Sequence, residues 1–357
     1  MDRRFFSNWK TIVVKYKSFK YNANNLYPVS QRSIYSKVEP IDKDISNVEI
    51  IVPWGKIAGK LWGNDKTKQP ILALHGWQDN AATFDNLIPL IKKHEPILAI
   101  DLPGHGLSSW LPQGQIYLEI NYILLISRLK KYFGWKKVKL LAHSLSSHIC
   151  FCYASLYSDE TDYVISFDHL KPFSTNIQNY KRTLSKNIEQ FLMIEEMKNK
   201  PPVYKKEELI KKWTQNTFRS LNVNACEILM TRGVTEMSDG TVYINRDPRL
   251  RISPFYTCWS HEQLKEMATY IKCPYLIIQS DKEMYMEDLK YYYDIVDILK
   301  KSSNDCQYYF IPGTHHIHLT NAEALNIIVI IILYTNRHNR KINNRNIIKS
   351  MAYIFPF

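Results

Sequence analysis

The stretch from Val138 to Ala154 constrains the fold of this chain more than any other part of its sequence. It runs from an apolar, strand-like segment into Ser144, which lies between small residues, and continues at once as a helix-like segment. A strand, a sharp turn that exposes a serine and a helix form the arrangement called a nucleophile elbow. A serine hydroxyl becomes a strong nucleophile when a nearby histidine removes its proton. The stretch therefore predicts a reactive serine at the end of a buried strand.

Short apolar segments between turn residues recur along the chain, and helix-length stretches such as 120–133 and 288–299 separate most of them. Apolar runs of this length are typical of strands that are buried on both faces of a parallel sheet. Upstream, residues 49–54 and 57–62 predict a hairpin with Gly55 near its turn. The pattern predicts the α/β class, with a mostly parallel sheet covered by helices. The predicted sheet strands are residues 71–74, 97–100, 138–141, 163–167, 275–278 and 308–311.

One long stretch breaks this alternation. Residues 169–270 are polar and helix-rich, contain little strand-like sequence, and are too long for a loop. Because ligands bind at the carboxyl ends of the strands in open α/β sheets, we predict a helical cap inserted over those ends. The expected organisation is a core in two parts, 46–168 and 271–334, with the cap between them, an N-terminal extension at 1–45 and a C-terminal tail at 335–357.

The composition and the charge limit the kinds of partner that we expect for this chain. Its 357 residues have a net charge of +13, from 47 Lys and Arg against 34 Asp and Glu. The basic residues are scattered, and no zinc-finger or RNA-recognition pattern accompanies them, so we expect no nucleic-acid partner. Weak association with an anionic membrane surface is an alternative role for this charge. The apolar segment 327–334 is too short to span a bilayer, so no integral membrane span is expected.

The cysteines and the N-terminal residues bear on the compartment. The six cysteines contain no CxxC pair, which favours reduced thiols in an intracellular protein. The basic residues before Glu39 are not accompanied by the apolar segment of a secretory signal. We expect a cytoplasmic protein, with a mitochondrial location or association with peroxisomes as alternatives.

Three histidines follow the last predicted strand, in the segment Gly313-Thr314-His315-His316-Ile317-His318. A strand, a glycine turn and a histidine place an imidazole over the edge of the sheet, where it can act as a general base. His315 is the first choice because it is the first histidine after the turn, and His318 is the second. No Glu or Cys lies at ligand spacing from these histidines, so we expect no metal site.

Two carboxylates compete for the role of orienting this base. Asp168 ends the predicted strand 163–167, and Glu283 lies in the loop after the predicted strand 275–278. A carboxylate beside the base fixes its tautomer and stabilises its charged form. We prefer Asp168 and retain Glu283 as the alternative acid. With Asp168, the order along the chain is Ser, Asp, His, as in one of the known arrangements of such triads.

Two backbone amides are the candidate donors of an oxyanion hole. In elbow-type sites the hole uses the N–H after the nucleophile and an N–H from the loop after the third strand. The segment His75-Gly76-Trp77 directly follows the predicted strand 71–74. The predicted donors are therefore the amides of Leu145 and Trp77.

Together these motifs resemble the α/β-hydrolase superfamily, and more closely the serine hydrolase-like proteins, including the kraken-type hydrolases. The resemblance covers about residues 48–323. It implies the α/β-hydrolase fold and an intracellular hydrolase without a metal or an organic cofactor, with Ser144 as nucleophile and His315 as base. The elbow departs from the usual Gly-x-Ser-x-Gly, since Ala142 and Ser146 stand at the glycine positions. The motifs are His75-Gly76-Trp77 with Asp79-Asn80, Asp101-Leu102-Pro103-Gly104-His105-Gly106, Ala142-His143-Ser144, Thr231-Arg232-Gly233, Asn245-Arg246-Asp247 and Gly313 to His318.

The sequence thus predicts a serine hydrolase that cleaves a small ester-like or other acyl substrate through an acyl-enzyme. Ser144 attacks the carbonyl, His315 moves the proton and Asp168 orients His315. The competing hypothesis is a catalytically inactive binding protein on the same fold, and the altered elbow motivates it.

Overall fold

The computed structural model of this chain describes residues 37–325, except 43, 64, 66, 92–94, 198–201, 218, 253–256 and 281–286, together with Val329. Several sequence predictions lie outside the described residues. These are the alternative acid Glu283, the tail 335–357, most of the extension 1–45 and, apart from Val329, the apolar segment 327–334.

The described residues form strands and helices that alternate through most of the chain. The strands are β1 (Lys37–Asp42), β2 (Ile45–Val52), β3 (Gly55–Trp62), β4 (Ile71–Leu74), β5 (Ile97–Ile100), β6 (Val138–His143), β7 (Thr161–Phe167), β8 (Val203–Tyr204), β9 (Val234–Glu236), β10 (Val242–Ile244), β11 (Tyr275–Ser280) and β12 (Cys306–Ile311). The α-helices are α1 (Ile88–Ile91), α2 (Glu119–Phe133), α3 (Leu145–Leu156), α4 (Ile177–Glu195), α5 (Lys206–Asn216), α6 (Val223–Gly233), α7 (His261–Tyr270), α8 (Leu289–Ser302) and α9 (Ile317–Thr320).

The main sheet has nine strands in the order β1-β2-β3-β5-β4-β6-β7-β11-β12. From β5 to β12 every neighbouring pair is parallel, whereas β1, β2 and β3 pair antiparallel at one edge and β3 joins β5 antiparallel. The predicted hairpin is confirmed, because β2 and β3 pair through the turn before Gly55. The predicted α/β-hydrolase architecture, a mostly parallel sheet covered by helices, is confirmed as well.

Burial on both faces of the central strands explains their apolar sequence. Every residue of β4 and β5 is buried. Along β6, Leu140 packs into the core on one face of the sheet, while Leu141 packs into the core on the other. This alternation follows from the two-residue period of a strand. Helices α2, α3, α7 and α8 cover the first face, and α1 and α9 pack against the second.

The described residues between β7 and β11 form four α-helices, as the composition of this segment indicates, and also a small antiparallel sheet in the order β8-β10-β9. The sequence did not predict these strands, because two or three residues are too few to show a period. Helix α7 packs against α3 and α8 of the core. Among the described helices, none combines the length and the hydropathy needed to cross a bilayer.

Candidate active site

Ser144 lies at the sharp turn between β6 and α3, which is the strand–turn–helix arrangement predicted from the sequence. Its backbone has φ 53° and ψ −118°, a conformation that residues with a Cβ rarely adopt. Such a conformation costs about 1–3 kcal/mol and persists only where the surroundings enforce it. The N–H of Ser144 donates to the carbonyl of Phe167 at 3.0 Å, so strand β7 holds the turn in place.

Small side chains around this turn allow three elements to approach closely. Ser146, which stands where a glycine is usual, is buried, and its hydroxyl donates to the carbonyl of His75 at 2.5 Å. The departure from Gly-x-Ser-x-Gly therefore adds a hydrogen bond between α3 and the end of β4. A Cβ at Gly76 would lie 2.8 Å from Nδ1 of His143 and 3.1 Å from Cβ of Ser144. Only glycine fits the loop this close to the elbow.

His315 lies between Ser144 and Asp168. Its Nε2 is 2.9 Å from the hydroxyl oxygen of Ser144, and its Nδ1 is 2.6 Å from Oδ2 of Asp168. Both distances are within hydrogen-bond range. With Nδ1–H donating to the carboxylate, Nε2 has a free lone pair that accepts the serine proton. The structure thus brings together the three residues that the sequence selected as nucleophile, base and acid.

Asp168 follows β7 with a left-handed backbone, φ 49°, and its N–H donates to the carbonyl of Ile278 at 2.7 Å. Its Oδ1 accepts the side-chain amide of Gln279 at 2.9 Å, the Ser280 N–H at 2.7 Å and the Ser280 hydroxyl at 2.6 Å. These donors fix the carboxylate and leave Oδ2 for His315. The alternative acid, Glu283, lies outside the described residues.

The predicted oxyanion donors lie on two elements that meet at the elbow. Leu145 is the first residue of α3, and Trp77 follows β4 by three positions. Both residues line the same cavity as Ser144. Among the described residues, neither amide donates to a backbone carbonyl, so both N–H groups remain available for a substrate oxygen.

The other histidines near the triad have structural hydrogen bonds. His318, the second choice for the base, is fully buried, and its Nε2 lies 2.8 Å from the Thr83 hydroxyl rather than at Ser144. His143 donates from Nε2 to the carbonyl of His315 at 2.9 Å, which fixes the backbone of the candidate base. Burial lowers the pKa of His318 to about 3 and holds the pKa of His143 well below its usual range. Both rings are therefore neutral at physiological pH.

One cluster beside the triad has ligand atoms at metal-binding spacing. Asp79, His143 and His318 are buried, and their ligand atoms lie within 4.8 Å of one another. In the part of the chain that is described, Asp79 Oδ2 and the Nδ1 atoms of both histidines have no hydrogen-bond partner. Sequence spacing gave no indication of this group, because Asp79 and His143 lie far from His318 along the chain. Burial raises the pKa of the Asp79 carboxyl to about 7, so it is partly protonated at neutral pH.

The glycine-rich loop after β5 makes buried structural contacts. Asp101 at its start is fully buried, and its carboxylate binds the guanidinium of Arg232 at 2.8 Å. His75 accepts the N–H of Leu102 at 2.9 Å. Its pKa is lowered to about 4, chiefly by burial, so it is a neutral structural residue.

A cavity of about 630 Å³ opens over Ser144. The core contributes Ser144, Asp168, His315, Trp77 and Leu145 to its lining, and α5, α6 and the strands β8 and β10 contribute a second wall. Sequence reasoning missed two charged residues of that wall, Lys212 and Arg246, although Arg246 belongs to the motif Asn245-Arg246-Asp247. The apolar part of the wall consists of Leu209, Trp213, Leu221, Leu229 and Ile244.

Comparison with known proteins finds matches over most of this chain. The model of the alpha/beta hydrolase fold family matches residues 69–322. A protein of Drosophila melanogaster named "Probable serine hydrolase" is 36% identical over 279 residues, which cover 77% of this chain and 84% of the fly protein. The serine hydrolase-like protein of Mus musculus is 30% identical over 299 residues, which cover 78% of this chain and 93% of the mouse protein.

Solved structures share the fold at lower sequence identity. A hypothetical protein of Pseudomonas aeruginosa PAO1 superposes with a TM-score of 0.70 at 23% identity, over 82% of this chain and 99% of the bacterial one. The thioesterase domain from the curacin biosynthetic pathway superposes with a TM-score of 0.66 at 18% identity, over 80% of this chain and 99% of that domain. At these identities the likeness shows the fold alone.

Proposed function

This chain belongs to the α/β-hydrolase fold family, and from that premise we propose that it is a serine hydrolase that cleaves ester-like acyl substrates through an acyl-enzyme. Its relatives support a hydrolase or a hydrolase-like protein. The acyl-enzyme mechanism is supported by a continuous chain of hydrogen bonds from the Ser144 hydroxyl through His315 to Asp168.

In the proposed mechanism, Ser144 Oγ attacks the substrate carbonyl while its proton moves to Nε2 of His315. The imidazolium that forms is stabilised by Asp168, and it then donates the same proton to the departing alcohol. A water molecule enters, loses a proton to His315 and attacks the acyl-enzyme carbonyl. As the acid is released, His315 returns that proton to Ser144 Oγ, so the cycle is balanced.

The amides of Leu145 and Trp77 stabilise the negative oxygen of each tetrahedral intermediate. Removing one such donor from a hydrolase costs about 3–4 kcal/mol of transition-state stabilisation. The Ser146 hydroxyl donates to the His75 carbonyl, and this hydrogen bond links the proposed oxyanion loop to α3. The altered elbow therefore does not by itself favour an inactive protein.

A panel of p-nitrophenyl esters of increasing acyl length tests the proposal. We expect release of p-nitrophenol by the wild-type protein and its loss in Ser144→Ala. Ser185→Ala is the matched control, because Ser185 is exposed on α4 and, among the described residues, its hydroxyl bonds only to the Lys181 carbonyl of the same helix. Folded protein without turnover on any ester would instead favour the alternative, a binding protein on the hydrolase fold.

A further inference from the structure

Two cations that line the cavity over Ser144 have no ion-pair partner among the described residues. Among the described lining residues, the acids are Asp79, Asp168 and Glu287, and the permanent cations are Lys171, Lys212 and Arg246. Some of these groups pair with a neighbouring charge within the protein. The cations that have no such partner among the described residues indicate what the cavity can bind.

All three acids are already engaged or neutralised. Glu287 forms a buried ion pair with Lys171 and also accepts the hydroxyl of Ser174 at 2.7 Å. Asp168 is bonded to His315. Burial raises the pKa of Asp79 to about 7, so its negative charge is only partial at neutral pH. Among the described residues, none of these three acids forms an ion pair with Arg246 or Lys212.

Arg246 and Lys212 are the cations that remain. Burial lowers the pKa of Arg246 to about 10, helped by the like charge of Arg251, yet the guanidinium is still charged at neutral pH. Within the described residues, neither Arg246 nor Lys212 forms an ion pair. The ammonium of Lys212 lies 4.2 Å from the centroid of the Tyr204 ring, and this cation–π contact positions the charge without cancelling it.

Arg246 is half-buried, and a cation that is partly withdrawn from water without a counter-ion favours a ligand that supplies the opposite charge. Lys212 is exposed, so it adds positive charge beside Arg246 without a desolvation cost of its own. The apolar wall of the same cavity, formed by residues such as Leu209, Leu229 and Ile244, suits a hydrocarbon chain. Guanidinium binds carboxylate and phosphate oxygens through paired N–H donors. The cavity thus combines Ser144, apolar lining residues and two cations that have no ion-pair partner among the described residues.

We propose that Arg246 and Lys212 form an anion subsite, and that the substrate is an acyl ester with a carboxylate or phosphate group separated from the scissile bond by an apolar segment. This inference rests on the proposed function for its scissile bond. The subsite itself rests on two cations that have no ion-pair partner among the described residues. Both lie in the segment between β7 and β11, since Lys212 is on α5 and Arg246 follows β10.

Two matched esters test the subsite. Mono-p-nitrophenyl adipate and p-nitrophenyl hexanoate have the same six-carbon acyl length, and only the adipate ends in a carboxylate. We expect kcat/KM to favour the adipate. A charge-assisted hydrogen bond contributes about 1.5–3 kcal/mol, so Arg246→Gln should lower the adipate-to-hexanoate ratio about 10-fold or more. Lys212→Met should lower it by a smaller factor.

The control is Arg182→Gln, since Arg182 is exposed on α4 and does not line the cavity. This variant should keep the wild-type ratio. A third ester, p-nitrophenyl 5-phosphonopentanoate, has the same four methylenes as the adipate, so it separates the two anion chemistries, and the ester with the higher kcat/KM identifies the preferred group. A wild-type ratio at or below one, or a ratio that Arg246→Gln leaves unchanged, would overturn the subsite.

Calorimetric titration with monomethyl adipate and with methyl hexanoate separates the subsite from the proposed function. The protein for this measurement is Ser144→Ala, with and without Arg246→Gln. If no ester is hydrolysed but adipate binds more tightly and loses that advantage in the Arg246→Gln variant, the anion subsite stands and the hydrolase proposal fails. If both esters are hydrolysed without preference and adipate has no binding advantage, the subsite fails and the hydrolase proposal stands.

Discussion

At the scale of single residues, backbone strain is concentrated at the candidate site. Four non-glycine residues among those described have a positive φ, and three of them are Gln78, Ser144 and Asp168. Each of these three has its N–H bonded to another element: to the His105 ring at 3.1 Å, to the Phe167 carbonyl at 3.0 Å and to the Ile278 carbonyl at 2.7 Å. These bonds hold each residue in its conformation, and strain held in this way is typical of preorganised sites.

The acid of the triad is tested by Asp168→Asn. The amide should leave His315 in the wrong tautomer, because an asparagine NH₂ cannot accept the Nδ1 proton, and the equivalent change in a serine protease lowers kcat about 10⁴-fold. We expect a loss of similar size in kcat with a smaller change in KM, measured by steady-state hydrolysis of the best p-nitrophenyl ester.

Glu283→Gln is the comparison for this prediction, because Glu283 is the alternative acid from the sequence. Its kcat should stay within a few-fold of wild type if Asp168 is the acid. A larger loss in Glu283→Gln than in Asp168→Asn would reverse the assignment.

At the scale of elements, a buried ion pair and a buried hydrogen bond fasten the segment between β7 and β11 to the core. Arg232, on α6, donates to both carboxylate oxygens of Asp101, which follows β5. The same carboxylate accepts the N–H groups of Ala81 and Leu107, each at 2.8 Å. A second connection runs from the Tyr117 hydroxyl of the core to Asp247 at 2.8 Å. The wall that bears Arg246 is therefore held in a fixed position relative to Ser144.

Removing the arginine of the first connection should destabilise the whole fold. Arg232→Met leaves the buried Asp101 carboxylate without its counter-charge, and breaking a buried pair in this way costs about 3–5 kcal/mol. The free energy of unfolding in urea measures the effect.

Lys265→Met is the matched control, since Lys265 pairs with Glu262 on the exposed face of α7. A surface pair of this kind contributes about 0–1 kcal/mol. Equal losses in the two variants would show that the Arg232 pair does not connect the elements as we infer.

Contacts within one element were readable from the sequence, whereas contacts between distant segments were not. The strands β4 and β5 have the bounds that their apolar runs predict, because each run is buried on both faces and ends at a turn. The position of Ser144 at a turn could be predicted because the strand, the serine and the helix are contiguous along the chain. The pair between Arg232 and Asp101 spans 131 positions, and no local pattern specifies it. The group of Asp79 with His143 and His318 was missed for the same reason.

At the scale of the whole molecule, buried neutral histidines link stability to pH. Burial is the largest cause that lowers the pKa of each of these rings, to about 4 in His75, to about 3 in His318, and well below the usual range in the others. The unfolded chain protonates the same rings near pH 6.5. The set consists of His75, His105, His143, His169, His316 and His318.

The protein should therefore lose stability on acidification. Below about pH 6.5 the unfolded state binds protons that the folded state excludes, and each such proton costs about 1.4 kcal/mol per pH unit. Asp79 acts in the opposite direction, because its raised pKa favours the folded state as the pH falls below about 7. One carboxyl does not offset six histidines.

We expect the melting temperature, measured by calorimetry, to fall steadily between pH 7 and pH 5. Asp79→Asn should make the fall steeper, since it removes the opposing group. A melting temperature that stays constant or rises over this range would contradict the neutral state of the histidines.

The most direct test of Ser144 as a nucleophile activated by His315 is intact-mass spectrometry after incubation with a fluorophosphonate, followed by peptide mapping of the adduct. We predict one adduct per chain, on Ser144, with labelling abolished in Ser144→Ala and strongly slowed in His315→Ala. Folded wild-type protein that remains unlabelled, or that is labelled on another residue, would contradict the assignment of Ser144 as the activated nucleophile.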